Sequence, residues 1–185
     1  ETQMIRTANR FNIQAYEVLL KNRELIINKM FDFINLKENS DYFPNYRKMD
    51  PMVLKWFITM LYQLFATSIK IGDRMLIRKY IQAVAFRRYK EGFSVSEPID
   101  FLTNFEHIIL SELPIDSGIR EVKNLLYSSV TISIQMCIDE MEESFETFEN
   151  KAEDIAKLTE VGPNFHGGRI MDIMSVKEYL LLKDR

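Results

Sequence analysis

The side chains able to do chemistry are few, and their spacing narrows what they can do. The chain holds two histidines, His107 and His166, and one cysteine, Cys137. A closed structural zinc site needs a full tetrahedral set of Cys and His ligands, which these residues cannot supply. A carboxylate-bridged di-metal bundle needs paired Glu-x-x-His motifs. The stretch Asn104-Phe105-Glu106-His107 has neither that spacing nor a second copy. We expect no metal site.

A single helical histidine can also serve as an axial haem ligand. His107 lies beside the apolar Phe105, Ile108 and Ile109, where the commoner role is a boundary side chain with one hydrogen bond. The expectation is therefore no cofactor, with haem on His107 as the alternative. His166 lies next to Gly167-Gly168 and reads as linker. Cys137, between Met136 and Ile138, reads as a buried and inert thiol.

Other catalytic patterns are missing from the sequence. Gly167-Gly168 lacks the Lys-Ser/Thr of a phosphate-binding loop, and no Gly-x-Ser-x-Gly elbow occurs. Carboxylates crowd together after Asp139, but within a charge run of the kind that solvates a helix face. The chain is expected not to be an enzyme. Arg74, Arg78, Lys79, Arg87, Arg88 and Lys90 make one segment basic, and Gly92 follows it as in a helix-turn-helix. Arg88 stands where close helix crossing wants a small residue, and the next helix has no Lys or Arg before Arg120. Phosphate binding needs cations on the docking face, so no nucleic-acid partner is expected.

The elements that would position these residues read as helices throughout. Hydrophobic residues form 46% of the 185, with only 6 Gly and 5 Pro to interrupt them. Apolar residues recur at threes and fours over about 7–37, predicting one long helix. A polar loop over 35–45 carries Tyr42 and Phe43, with Tyr46 just beyond, and should fold down over the core. Asp50-Pro51 opens a second helix as cap and first residue. Its stripe of Met52, Val53, Trp56, Phe57, Met60, Leu61, Leu64 and Phe65, with Leu54, Ile58 and Tyr62 behind, predicts burial nearly all round. Gly72 ends it, and a basic third helix over about 74–91 stops at Gly92.

Ser94 and Glu97 have capping-box spacing for a fourth helix, with Ser96 as the alternative cap. Breaks at Leu113-Pro114 and Ser117-Gly118 precede a fifth helix from about Ile119 to Leu158. No strand, repeat or apolar run of bilayer-spanning length is read here. The fold class is all-α: a compact bundle of about five principal helices over 7–158, globin-like in one reading. A linker or tail with a short helix follows over 159–185. The lone cysteine and the net charge of −3 fit a cytoplasmic protein. Glu1 in place of an initiator Met leads us to expect a piece trimmed from something longer.

One stretch resembles a known family. Ile71-Gly72-Asp73 precedes a helix through Tyr80-Ile81-Gln82-Ala83-Val84-Ala85-Phe86-Arg87-Arg88-Tyr89-Lys90-Glu91-Gly92-Phe93-Ser94. Ala85, Arg88, Gly92, Phe93 and Glu97 match the pattern of the N-terminal sensory domain of RsbRD-type co-antagonists, over about residues 12–140. Pro98 departs from it, where the family continues its helix. The resemblance implies a non-catalytic bacterial input module in stress signalling, related to globins that have lost haem. It also implies coupling to an output domain, such as a STAS domain or histidine kinase, or to another signalling partner. A free-standing adaptor is the other alternative.

The acidic end of the fifth helix keeps a narrow apolar seam of Ile134, Met141, Phe145, Phe148 and Ile155. We expect this helix to project and to pair with a second copy, giving a homodimer, with Arg87, Arg88 or Lys90 of the other copy meeting its carboxylates. The most local expectation concerns Gly92, which should adopt positive φ. Gly92→Val should then cost about 1–2 kcal/mol or more, since a β-branched side chain is strained there. Thermal or urea unfolding measures that loss; unchanged stability would mean the turn lies elsewhere.

Overall fold

The computed structural model describes residues 2–113 and 120–159, with side chains over 10–113 and 123–152. Six α-helices run in order, and no strand occurs among the described residues: α1 (Thr2–Lys21), α2 (Arg23–Asn35), α3 (Pro51–Ile71), α4 (Met75–Lys90), α5 (Ser96–Glu112) and α6 (Arg120–Thr159). Two short 3-10 turns, Lys37–Asn39 and Tyr46–Lys48, lie between α2 and α3. The breaks around Pro114 and Gly118, the tail over 160–185 with His166, and the side chain of Ile155 lie outside the described residues.

The expected first helix is two helices. In an unbroken helix the Leu19 carbonyl would accept from the amide of Arg23. Here it accepts from the Tyr62 hydroxyl at 2.7 Å and from the Asn22 amide at 3.2 Å. Asn22 also turns its side-chain amide back to the Val18 carbonyl at 2.8 Å. The break is thus made by a tyrosine on α3, distant in sequence.

Helix α3 is the centre, packing on α1 and α2 and, along another side, on α4. Asp50 caps it as expected, its carboxylate accepting from the amides of Met52 and Val53 at 2.8 and 3.3 Å. Gly72 closes it at φ 69. Burial all round does not hold. Leu54, Phe57, Ile58, Leu61, Tyr62 and Phe65 are inside, but Met52 is 82% exposed and Trp56 58%. One side of the first two turns of α3, with Val53 and Trp56, faces a groove. Among the described residues, α3 is also the one helix long and apolar enough to cross a membrane by length and composition, and half of its most apolar window is buried in the bundle.

Gly92 takes φ 79, and the chain there makes two backbone bonds, Gly92 to the Tyr89 carbonyl and Phe93 to the Arg88 carbonyl, both at 3.0 Å. That pair is a Schellman closure, which needs the left-handed conformation glycine supplies. A Cβ at Gly92 would meet nothing within 4 Å, so the cost of replacing it is backbone strain alone. The capping box is not made. Helix α5 begins at Ser96, Ser94 Oγ meets Ser96 Oγ at 2.9 Å, and Glu97 is used elsewhere.

The projecting exit helix is corrected most. Met141, Phe145 and Phe148 are buried, the last two at 2% and 5% exposure, because α6 lies along α4 and α5. On the α4 side, Phe148 packs edge-on to Phe86 and Phe145 to Tyr89. The carboxylates of Glu142, Glu146 and Glu149 take the opposite, exposed face. Phe145 and Phe148 are therefore intramolecular residues, and the homodimer expectation loses its seam. Phe145→Glu with Phe148→Glu should abolish the fold, since truncating one buried Phe already costs about 3–5 kcal/mol and each Glu adds a buried charge. Circular dichroism through a denaturant titration reads this directly. A folded double variant would place the seam outside the core.

Candidate functional site

A groove of about 630 Å³ opens between the start of α3 and the end of α4. Met49, Val53, Trp56 and Phe57 form one wall, while Tyr80, Val84, Phe86, Arg87, Arg88 and Lys90 form the other, with Glu91 at its end. The size falls within the range of small-molecule sites, as does an apolar lining carrying a few polar groups.

Arg88 is the polar centre of this wall. It is only 3% exposed, and its guanidinium lies 4.8 Å from the ring centroid of Phe57 and 5.0 Å from those of Tyr46 and Phe93. Such placement over ring faces stabilises a desolvated cation. The rings also hold one another: Tyr46 stacks on Phe57 at 5.9 Å and packs against Phe101 at 4.9 Å and Phe93 at 5.1 Å. Arg88 Nη1 donates to Glu91 Oε2 at 2.7 Å, and Arg87 Nε donates to the other oxygen at 2.9 Å. Arg88 Nε, itself buried, has no hydrogen-bond partner.

The ionisation of these groups follows from their surroundings. Burial pushes the Tyr46 hydroxyl up to about 12, against an opposing pull from Arg88. Burial would lower Arg88, but Tyr46 and Glu91 together raise it, so the cation is kept. Glu91 is nudged up by burial and pulled lower overall by its bonds from Arg87 and Arg88. The groove thus has a carboxylate already clamped between two guanidinium groups at its end.

Loop and turn place the box. Glu97, 2% exposed, accepts from the amides of Asn45 and Tyr46 at 2.8 and 2.9 Å and from Asn45 Nδ2 at 2.9 Å. This ties the aromatic loop to the first turn of α5. Phe43 and Tyr46 are buried as expected of that loop, and Tyr42 is exposed. On the other side the Gly92 closure sets Phe93 over Arg88.

The far face of α4 carries a second set of contacts. Arg74 Nε donates to Ser133 Oγ at 3.0 Å, Arg78 pairs with the buried Glu140, and Gln82 Nε2 donates to the same carboxylate. Beyond them, Phe86 reaches Phe148 at 5.5 Å, and Tyr89 reaches Phe145 at 5.7 Å and Phe148 at 5.4 Å. Phe86 belongs to both faces, as a groove residue and a contact of α6.

Of the residues singled out in the sequence, Arg87, Arg88 and Lys90 come together on the groove. Arg88 is buried with a partner on its own helix, so it is neither a solvated charge nor available to meet another copy. Phe145 and Phe148 lie behind α4. His107 is exposed, facing away from the buried Phe105 and Ile109 on the same helix, so it does not point into an interior pocket of the kind an axial ligand needs. Trp56, Tyr46 and Glu97 were missed as site residues. The one available signal was Trp56 beside Met52 and Val53 in a helix too apolar for its neighbours to cover. No group of three or more His, Cys, Asp or Glu able to hold a metal ion occurs among the described residues. No family model, curated protein or solved structure matches the chain.

Cys137 lies on α6, fully buried, and its thiol is pushed up to about 12 by burial and by the nearby charge of Glu140. A thiol-specific reagent at pH 8 should therefore label the native protein no faster than it unfolds, and should label it at once in denaturant. Rapid labelling of the native state would put Cys137 at the surface.

Proposed function

We propose that the chain is a non-catalytic regulatory module in which the α3–α4 groove receives a ligand and α6 carries the response to a protein partner. The observation that supports this reading is Phe86, whose ring lines the groove and packs against Phe148 of α6. A molecule that enters the groove and shifts Phe86 acts on α6 with no intermediate. A ligand moves a conformational equilibrium only through contacts that differ between the two states, and Phe86 is the residue on which this reading places that difference.

The polar bonds between α4 and α6 favour a pivot over a slide. Arg74–Ser133 and the pairing of Glu140 with Arg78 and Gln82 fix the register of the two helices at one end. At the other end the rings of Phe86 and Tyr89 meet Phe145 and Phe148, and in this reading the displacement falls there. The exposed face with Glu142, Glu146 and Glu149 on that part of α6 is the surface offered to a partner. This agrees with the sensory role that the resemblance to the RsbRD-type domains implies, and it uses no haem.

Filling the groove covalently tests the relay. Val53 is exposed and lines the groove, and Cys137 is shielded. Val53→Cys can therefore be modified selectively with an alkyl methanethiosulfonate. Amide hydrogen exchange should change in α6 over 140–152 and stay constant in α1 and α2. Exchange in α6 that is the same with the groove filled and empty would overturn the relay.

A further inference from the structure

Resting on the groove as the input site, we propose that its resident occupant is the chain's own segment 170–182, laid across Trp56 and displaced when a ligand enters. The groove wall calls for a cover. Trp56 is 58% exposed and Val53 43%, and together with Met49 and Phe57 they line one apolar wall. Exposed apolar surface gathered in this way marks a place where something docks. The charged groups at the α4 end are engaged: Arg87 and Arg88 both donate to Glu91, and Lys90 lies 5.8 Å from the Phe86 ring centroid. Recognition in the groove is therefore apolar, and it suits side chains better than a charged headgroup.

The course of α6 brings that segment within reach. Helices α4 and α6 run parallel, as the pairs Arg74 with Ser133, Gln82 with Glu140 and Tyr89 with Phe148 show. Helix α6 therefore passes the groove end of α4 and continues from Phe148 to Thr159, about 16 Å farther. Residues 160–185 follow, and their sequence opens with Gly162-Pro163 and Gly167-Gly168, pairs that favour reversal of the chain. Extended, 160–169 spans up to roughly 33 Å. That is enough to double back along α6 and cross α4, a helix about 10 Å in diameter. Ile170, Ile173, Met174, Leu180 and Leu181 then recur at the threes and fours of one helix face, with Lys177 at the intervening place. Anchors spaced so are what an apolar groove takes up from a helix. A tether this short holds the segment at an effective concentration on the order of millimolar, so even a weak contact is filled.

Trp56 is the only tryptophan in the chain, and it lines the groove, so the fluorescence of the full chain reports cover there without a label. Ile173→Asp with Leu181→Asp should shift Trp56 emission to the red and raise its quenching by acrylamide. A synthetic peptide of residues 169–183 should saturate the Trp56 signal of that variant at least about tenfold more tightly than that of the natural chain, where the tethered copy competes. Val53→Cys with Met174→Cys should close a disulfide within one chain under mild oxidation, Cys137 being buried and out of the exchange. Ile132→Cys with Met174→Cys should not, since Ile132 is exposed near the opposite end of the contact between α4 and α6. Should the double Asp variant not fold, the two disulfide pairs decide alone. A disulfide joining positions 53 and 174 of different chains would assign the cover to a second copy and overturn the tethered contact. Unchanged Trp56 emission and quenching, with no disulfide selective for position 53, overturns the cover, while altered α6 exchange on filling the groove would still uphold the input site. A cover found with unchanged hydrogen exchange in α6 upholds the segment and overturns the relay.

Discussion

A buried guanidinium sets the terms for this fold. Taking a charge out of water costs several kcal/mol even after relaxation, and the return comes only if its surroundings are complete. Arg88 has Glu91 at the cap of its own helix and three ring faces. Those rings come from separate places: the loop after α2, the first half of α3, and the turn after Gly92. Each must arrive for the charge to be tolerated. The Asp50 cap, the Gly92 closure and the Glu97 clamp are thus positioning devices for one side chain. The groove exists because this end of α4 is held by rings and a charge in place of aliphatic packing.

Helix α4 is correspondingly unusual. Its inner positions Ile77, Ile81 and Ala85 are apolar, yet Gln82 and Arg88 are also buried and Arg78 reaches the buried Glu140. A helix that packs on two partners with polar groups on both faces has no single apolar stripe. Directional bonds are sensitive to register in a way that apolar contacts are not, so they select one alignment of α4 against α6. Lys29–Glu112 does similar work at the surface between α2 and α5, where solvent leaves such a pair with little energetic weight.

What could be read from the sequence was local. Asp50-Pro51, Gly72 and Gly92 announce their roles within a few residues, because caps and left-handed turns are short-range devices. The helical class and the extent of α6 follow from apolar spacing. The break at Asn22 was not legible, because its cause is the hydroxyl of Tyr62. Glu97 looked like a cap for its own helix, and its true partners, Asn45 and Tyr46, are about fifty residues earlier. The seam of α6 was read as a surface because its acidic composition outweighed its spacing, although Met141, Phe145 and Phe148 had the period of a packed face. For the site, the three basic residues were picked out, but nothing nearby in sequence distinguishes the buried Arg88 from the exposed Arg87 beside it.

The Glu97 clamp also bears on how the chain reaches its folded state. Its bonds span separations of 51 and 52 residues, whereas the turn that sets Phe93 over Arg88 is complete within six consecutive positions. Local contacts form early because their loop-closure entropy is small, and distant ones form later. Helix α4 and its Gly92 turn can therefore assemble while Arg88 is still hydrated on one side. The docking of the 36–50 loop onto α5 then strips away the remaining water. Desolvation of the charge becomes the late, uphill part of folding, and the barrier to losing the native state is set by the same event in reverse.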